Sequence, residues 1–272
     1  MSAAPTAPTT RRSQPSPLLP SNIHGNEGAV MNTLRDKTVV VVGGSSGIGL
    51  RVAQLAADEG AQLLIVGRDS GRLQAAQADL QARGATVGTY QVDAHDHTAL
   101  AALFDELPAF DHLVSMIGDV MGGGFIGADI AVIRHVIESK FFTNLRIGQL
   151  AAAKVREGGS LVFTSGTGGR AQDACASYVG NLGINALAEG LAVELAPKAR
   201  VNAVSPTWTV TPFWRDVPPA QVEATRAHFE QVIPLKRTAR IDELASTYLF
   251  LMTNGFITGQ HIAVDGGIML GA

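Results

Sequence analysis

Solid apolar runs alternate along this chain with longer stretches in which apolar positions fall three and four apart. The run TVVVVGG (38–44) is apolar throughout, as expected of a parallel strand covered on both faces. Residues 48–59 follow with helical spacing and meet a stop at Gly60. The alternation then repeats as strand AQLLIVGR (61–68), helix 70–83 ending at Gly84, strand TVGTYQVD (86–93), helix 98–107 and strand DHLVSMIG (111–118). A long helix is predicted over 128–156, then strand SLVFTSG (160–166), helix 176–196 and strand ARVNAVSP (199–206). After helices reaching Leu251, HIAVDGG (261–267) supplies a seventh strand. Strands separated by helices predict an α/β fold, here a doubly wound seven-stranded parallel sheet with helices on both faces.

The first residues break the pattern. Residues 1–32 are rich in Pro, Ser and Thr without apolar periodicity, and are expected to form a disordered tail ahead of a single domain over 33–272. Composition narrows the function classes. With 46% apolar residues, 17% charged and a net charge of −3, the chain has no basic footprint for nucleic acid. Cys175 is the one cysteine, which excludes an internal disulfide and fits a reducing compartment. No apolar run reaches the length of a membrane span, so a cytoplasmic protein without a membrane partner is expected. The histidines show no metal-binding spacing, and no metal site is predicted.

Gly43, Gly47 and Gly49 lie between the first strand and the first helix, in the segment GGSSGIG that also carries Ser45, Ser46 and Ile48. Such a loop lets backbone approach a pyrophosphate, and the N–H groups of the following helix favour an anion. The layout is that of a Rossmann-type dinucleotide site. An NAD site places a carboxylate at the end of the second strand. Here that strand ends Val66-Gly67-Arg68, and Arg68 with Ser45 or Ser46 suits a 2′-phosphate. NADP(H) is the expected cofactor.

Thirteen positions separate Ser165 from Tyr178 in TSGTGGRAQDACASY. Together with VVVVGGSSGIG, this segment resembles the active-site region of the short-chain dehydrogenases/reductases, over nearly everything from Thr33 to Gly267. The resemblance implies that Tyr178 exchanges a proton with the substrate oxygen and Ser165 polarises it. It also implies that Asp93 contacts adenine, that Gly118 remains of an Asn-Asn-Ala-Gly motif, and that Thr209 and Thr211 lie by the nicotinamide carboxamide. Val264-Asp265-Gly266-Gly267 matches a C-terminal signature of structural character. Relatives commonly assemble as homo-oligomers, so a dimer or tetramer is expected.

The chain departs from the family at two points. The lysine expected four residues after the tyrosine is Leu182, and the asparagine expected on the preceding long helix is Lys140. Ile133, Val136, Ile137, Lys140, Asn144 and Ile147 follow one helical stripe, so Lys140 interrupts a face that should be buried. A buried lysine is costly unless paired. Lys140 is therefore expected to lie near Ser165 and Tyr178 and to supply part of the missing charge. A phenol without a cation beside it is protonated at neutral pH, which favours proton donation and hence reduction.

Phe125, behind a run of three glycines, and Trp208, Phe213 and Trp214, in a segment that also holds Phe229, are expected to line the substrate pocket. Aromatic walls point to a flat or apolar small molecule such as a polyketide, steroid, terpenoid or aromatic ketone. The leading expectation is an NADP(H)-dependent reductase of a carbonyl or related polarised double bond. A lyase, isomerase or cyclase using the same Ser/Tyr pair, and a catalytically silent nucleotide-binding protein, are the alternatives.

Overall fold

Seven strands form where the apolar runs lie: β1 (Thr38–Val42), β2 (Gln62–Gly67), β3 (Val87–Gln91), β4 (Phe110–Ser115), β5 (Val155–Thr164), β6 (Ala199–Pro206) and β7 (His261–Val264). They make one all-parallel sheet in the order β3-β2-β1-β4-β5-β6-β7. The computed structural model describes Met1 and residues 34–271. The tail expected over 1–32 lies, apart from Met1, outside the described residues.

Alternation along each strand divides the core in two. Val40, Val42, Leu161, Phe163 and Ala203 face one side, where α3 (His97–Glu106), α5 (Thr143–Lys154) and α6 (Cys175–Leu195) cover them with Leu103, Ile147 and Ile184. Val39, Val41, Val162 and Val204 face the other, against α1 (Gly47–Asp58) and α8 (Ile241–Thr253) through Val52, Ala56, Tyr248 and Leu251. The remaining helices are α2 (Ser70–Ala82), α4 (Ile130–Ile137) and α7 (Pro219–Val232).

The long helix predicted over 128–156 is not continuous. A π-helical turn, Glu138–Phe142, separates α4 from α5, and the extended backbone of β5 begins at Val155 instead of Ser160. A register irregularity between Phe110 and His112 absorbs the extra strand residues. The chain steps outward from β1 to β3, then returns to β4 beside β1 and proceeds the other way. The C-terminal ends of β1 and β4 thus open a crevice where the order reverses, the usual ligand site of such sheets.

Thr164 ties the end of β5 to β4 and α8: its hydroxyl donates to the Ser115 carbonyl at 2.7 Å and pairs with the Tyr248 hydroxyl at 2.8 Å. Tyr248 is wholly buried. Tyr248→Phe keeps the packing and removes one buried bond, so a loss of about 1 kcal/mol is expected in urea unfolding with an unchanged slope.

Candidate active site

A cavity of about 860 Å³ occupies the C-terminal edge of the sheet, bounded by the ends of β1, β2, β4, β5 and β6. One end is the glycine loop. A Cβ on Gly49 would stand 2.4 Å from the Gly43 carbonyl oxygen, so only glycine permits this close packing of helix start on turn. Ser46 stands at the N-cap of α1 in extended backbone, yet its side chain caps nothing, and no acidic residue occupies the first turn. Its hydroxyl instead accepts a bond from the Arg215 guanidinium at 3.1 Å. The start of α1 thus keeps unpaired N–H groups facing the cavity, which suits a phosphate.

At the end of β2, Arg68 lines the cavity together with Ser45 and Arg72. Arg72 was not singled out in the sequence, although it stands one helical turn beyond Arg68. Asp69, the nearest carboxylate, caps α2 by accepting the Arg72 amide at 2.8 Å and pairs with the Arg72 side chain at 3.2 Å. Its oxygens are therefore engaged locally. Asp93 also lines the cavity, held below the usual carboxylate range chiefly by the His95 amide. Asp93, His95 and Ser139 form a hydrogen-bonded chain of 2.9 and 2.8 Å. Ser139 is wholly buried and accepts the Asp119 amide, so this chain braces the π turn and offers no nucleophile.

Ser165 continues the β5 alternation of Leu161 and Phe163 and so faces α6, where its hydroxyl donates to the Asn181 carbonyl at 3.1 Å. Ser165, Tyr178 and Lys140 all line the cavity. Lys140 lies in the π turn and is only 5% exposed. Its stem runs through a slot between two glycines. A Cβ on Gly180 would meet Lys140 Cδ at 2.7 Å, and one on Gly118 would meet Cγ at 3.0 Å. Asn144 closes the turn behind it, donating to the Lys140 and Ile117 carbonyls at 2.6 and 3.0 Å while accepting from Ser115 at 2.6 Å. Burial lowers the Lys140 ammonium from 10.5 to about 8, opposed by the nearby Asp119 carboxylate. Asp119 pairs with His135 instead, and among the described residues no carboxylate forms an ion pair with Lys140.

Two expectations require correction. Leu182 does not leave a vacancy in the site: it is 51% exposed on the outer face of α6. The cavity-lining residues of this segment are Ala174, Ser177, Tyr178 and Asn181. Tyr178 lies at the edge of that stripe, so the residue three positions on faces the cavity and the one four positions on turns out. Phe125 is not a cavity residue either. Gly123 pairs with the segment before α6 through its amide to the Asp173 carbonyl and its carbonyl to the Cys175 amide, and Phe125 beyond it is half-exposed. The other predicted cavity residues, Gly43, Gly47, Ile48, Gly118, Thr209, Thr211, Trp208, Phe213 and Trp214 among them, do line it.

The wall formed by the segment after β6 and by α7 is an aromatic column. Trp208 stacks on Phe229 at 5.5 Å and on Trp214 at 5.8 Å, and Phe213 meets Trp214 edge-on at 4.8 Å. The Thr209 hydroxyl is bound to the Thr207 carbonyl, and Thr211 caps the short turn that follows. Within the same cavity, Asn181 Oδ1 and the hydroxyls of Thr167 and Thr207 are buried without a protein partner. Polar atoms in that state fit a ligand bearing hydroxyl and amide groups. The site therefore fits a nicotinamide dinucleotide.

Residues 42–269 match the family model described as enoyl-(acyl carrier protein) reductase. A short-chain dehydrogenase/reductase of the fungus Stachybotrys chlorohalonatus, ATR9, is 32% identical, over 88% of this chain and 100% of that one. The chain belongs to the short-chain dehydrogenase/reductase family. It is thereby an oxidoreductase by descent, and its fold is the family's. The 3-oxoacyl-[acyl-carrier-protein] reductase of Mus musculus is 30% identical over 86% of this chain and 99% of its own. The solved structure of the MalC reductase/Diels-Alderase from Malbranchea aurantiaca superposes with a TM-score of 0.77 at 26% identity, covering 88% of this chain and 99% of that one.

The buried lysine has a stability signature. Its folded pKa lies below the unfolded one, so its charge opposes folding in full below about pH 8, and the penalty fades as pH rises toward 10.5. Lys140→Met should therefore raise stability at pH 7 by up to about 3 kcal/mol, with the gap to the parent closing between pH 8 and 10.5. Urea unfolding across that range is the check.

Proposed function

We propose that the protein is an NADP(H)-dependent reductase of a carbonyl, or a related polarised double bond, on an apolar or aromatic small molecule. The observation that carries this reading is the meeting of Ser165, Tyr178 and Lys140 in one cavity whose other end is an anion cradle flanked by arginines. Reduction is favoured over a lyase, isomerase or cyclase role by the reductase character of the matching family model. Preference for the 2′-phosphate form is supported by Arg68 and Arg72 at the cavity wall and by the engagement of Asp69 in capping α2.

Gly43, Ser45, Ser46, Gly47, Arg68 and Thr209 would hold a nicotinamide dinucleotide, which when bound would supply the hydride for the substrate carbon. Tyr178 donates its phenolic proton to the substrate oxygen, and Ser165 turns its O–H from the Asn181 carbonyl to that same oxygen. Lys140 keeps its proton and stabilises the negative charge that grows there from a largely buried position, where electrostatic interactions are stronger than in water. Asn181 and the Thr167 and Thr207 hydroxyls hold ligand donors and acceptors that no protein group satisfies. The aromatic column of Trp208, Trp214 and Phe229 holds the substrate ring and keeps water out.

Among the described residues no helix is long and apolar enough to cross a membrane, and the single cysteine is free and buried, in keeping with a cytoplasmic location. Val179, Leu182 and Phe142 expose apolar surface on α6 and the π turn, which supports a homo-oligomer.

The test is consumption of NADPH absorbance with aromatic and polycyclic ketones, alongside thermal shifts with NADPH and NADH. A larger shift with NADPH, turnover of at least one ketone, and a loss of about 100-fold or more in kcat for Tyr178→Phe are expected. The parent rate should decline as pH rises through about 8, where Lys140 loses its charge. A Tyr178→Phe variant of full activity would remove Tyr178 from the mechanism, and a preference for NADH would remove the 2′-phosphate assignment.

A further inference from the structure

The Lys140 ammonium is the unpaired cation at the catalytic end of this site. It is buried, it lines the cavity, and among the described residues it has neither a hydrogen-bond acceptor nor a paired carboxylate. A desolvated cation without a partner is a standing cost, and the cost is relieved when a ligand brings the opposite charge. The slot between Gly118 and Gly180 confines the stem on both sides and directs the ammonium into the cavity. Asp119, the closest acid, is committed to His135 at 2.9 Å. The phosphate-type ligands have their own cations at the other end of the cavity, Arg68, Arg72 and Arg215. Lys140 is thus free to serve the substrate.

The facing wall describes the rest of that molecule. Trp208 lies within 10° of parallel to Phe229 and within 27° of Trp214, so these rings cover one another's faces and the column offers the cavity its edges. Ring edges meet the face of a further ring in edge-to-face contact, which selects an aromatic or conjugated ring system.

We infer that the substrate is a planar aromatic or conjugated molecule carrying an anionic oxygen, a carboxylate or an acidic phenol or enol, placed beside the group to be reduced and paired with Lys140. This rests on the reductase reading and adds a charge requirement to it. The anionic oxygen is not the one that takes the hydride's counter-proton: a carbon bearing a full negative charge on its oxygen resists hydride, so the two groups are distinct and adjacent. Lys140 then acts twice, binding the anion in the ground state and lending positive charge to the reacting oxygen next to it.

Both tryptophans of the chain, Trp208 and Trp214, line this cavity, so tryptophan fluorescence reports on the site. The experiment titrates 2-naphthoate and its neutral isostere 2-naphthamide into protein saturated with NADP⁺, which occupies the arginine end. Parent protein should bind the carboxylate about tenfold or more tightly than the amide, a difference of roughly 1.4 kcal/mol. In Lys140→Met, and independently in Lys140→Gln, the ratio should fall to near one while amide binding persists. Trp208→Leu should weaken both probes together. Equal affinities in the parent protein, or a preference for the carboxylate that survives in both lysine variants, would overturn the inference. If NADP⁺ itself fails to bind, the reductase reading fails, and the naphthoate-to-naphthamide ratio in cofactor-free parent and variants still decides the anion site.

Discussion

An ammonium held in a cavity without a carboxylate paired to it is the constraint around which this site is organised. Lys140 is 5% exposed, and burial lowers its pKa to about 8. Several otherwise unrelated features serve its position. The π turn breaks the α4–α5 helix where the side chain must be re-aimed, as such turns do at functional sites. Gly118 and Gly180 leave the slot its stem occupies. Ser115 and Asn144 close the backbone behind it with bonds of 2.6 to 3.0 Å, and Ser139 fastens the turn to the loops after β3 and β4 through His95 and Asp119. A core position that only had to pack would be apolar.

The parallel sheet explains why these groups meet. Residues from five strand ends reach one edge, so a phosphate cradle at β1, two arginines after β2 and a serine at the end of β5 converge although they are far apart in the chain. Thr164, bonded to Ser115 and Tyr248, holds the end of β5 that presents Ser165. The segment after β6 is tied to the cradle by Arg215 on Ser46. Cofactor end and substrate end thereby share one wall, and a ligand in one part of the cavity touches elements that shape the other.

The strands, the glycine loop and the sheet's class were legible in the sequence because each rests on a local pattern: solid apolar runs, glycines at a strand–helix junction, helical spacing. Lys140 was legible for a related reason, as a charge on a stripe that should be apolar. What escaped depends on helical phase or on contacts distant in sequence. The apparent gap at Leu182 came from the family pattern, which places a lysine four residues after the tyrosine. Tyr178 sits at the edge of its helix face, so the cavity position one turn on belongs to Asn181. Phe125 was misplaced because its glycines serve a backbone pairing with Asp173 and Cys175, and no local pattern announces such a pairing. The π turn adds one residue to a helical repeat, and an apolar stripe tolerates that without any visible break.

Direct titration of Lys140 is the sharpest test. Protein carrying ¹³C at the lysine ε carbons, with Lys140→Met to assign the resonance, is followed by NMR from pH 6 to 11. A midpoint near 8 in the ligand-free protein, moving upward when an aromatic carboxylate binds, is the expected result. A midpoint near 10.4, unmoved by ligand, would place the ammonium in solvent and contradict the role assigned to it.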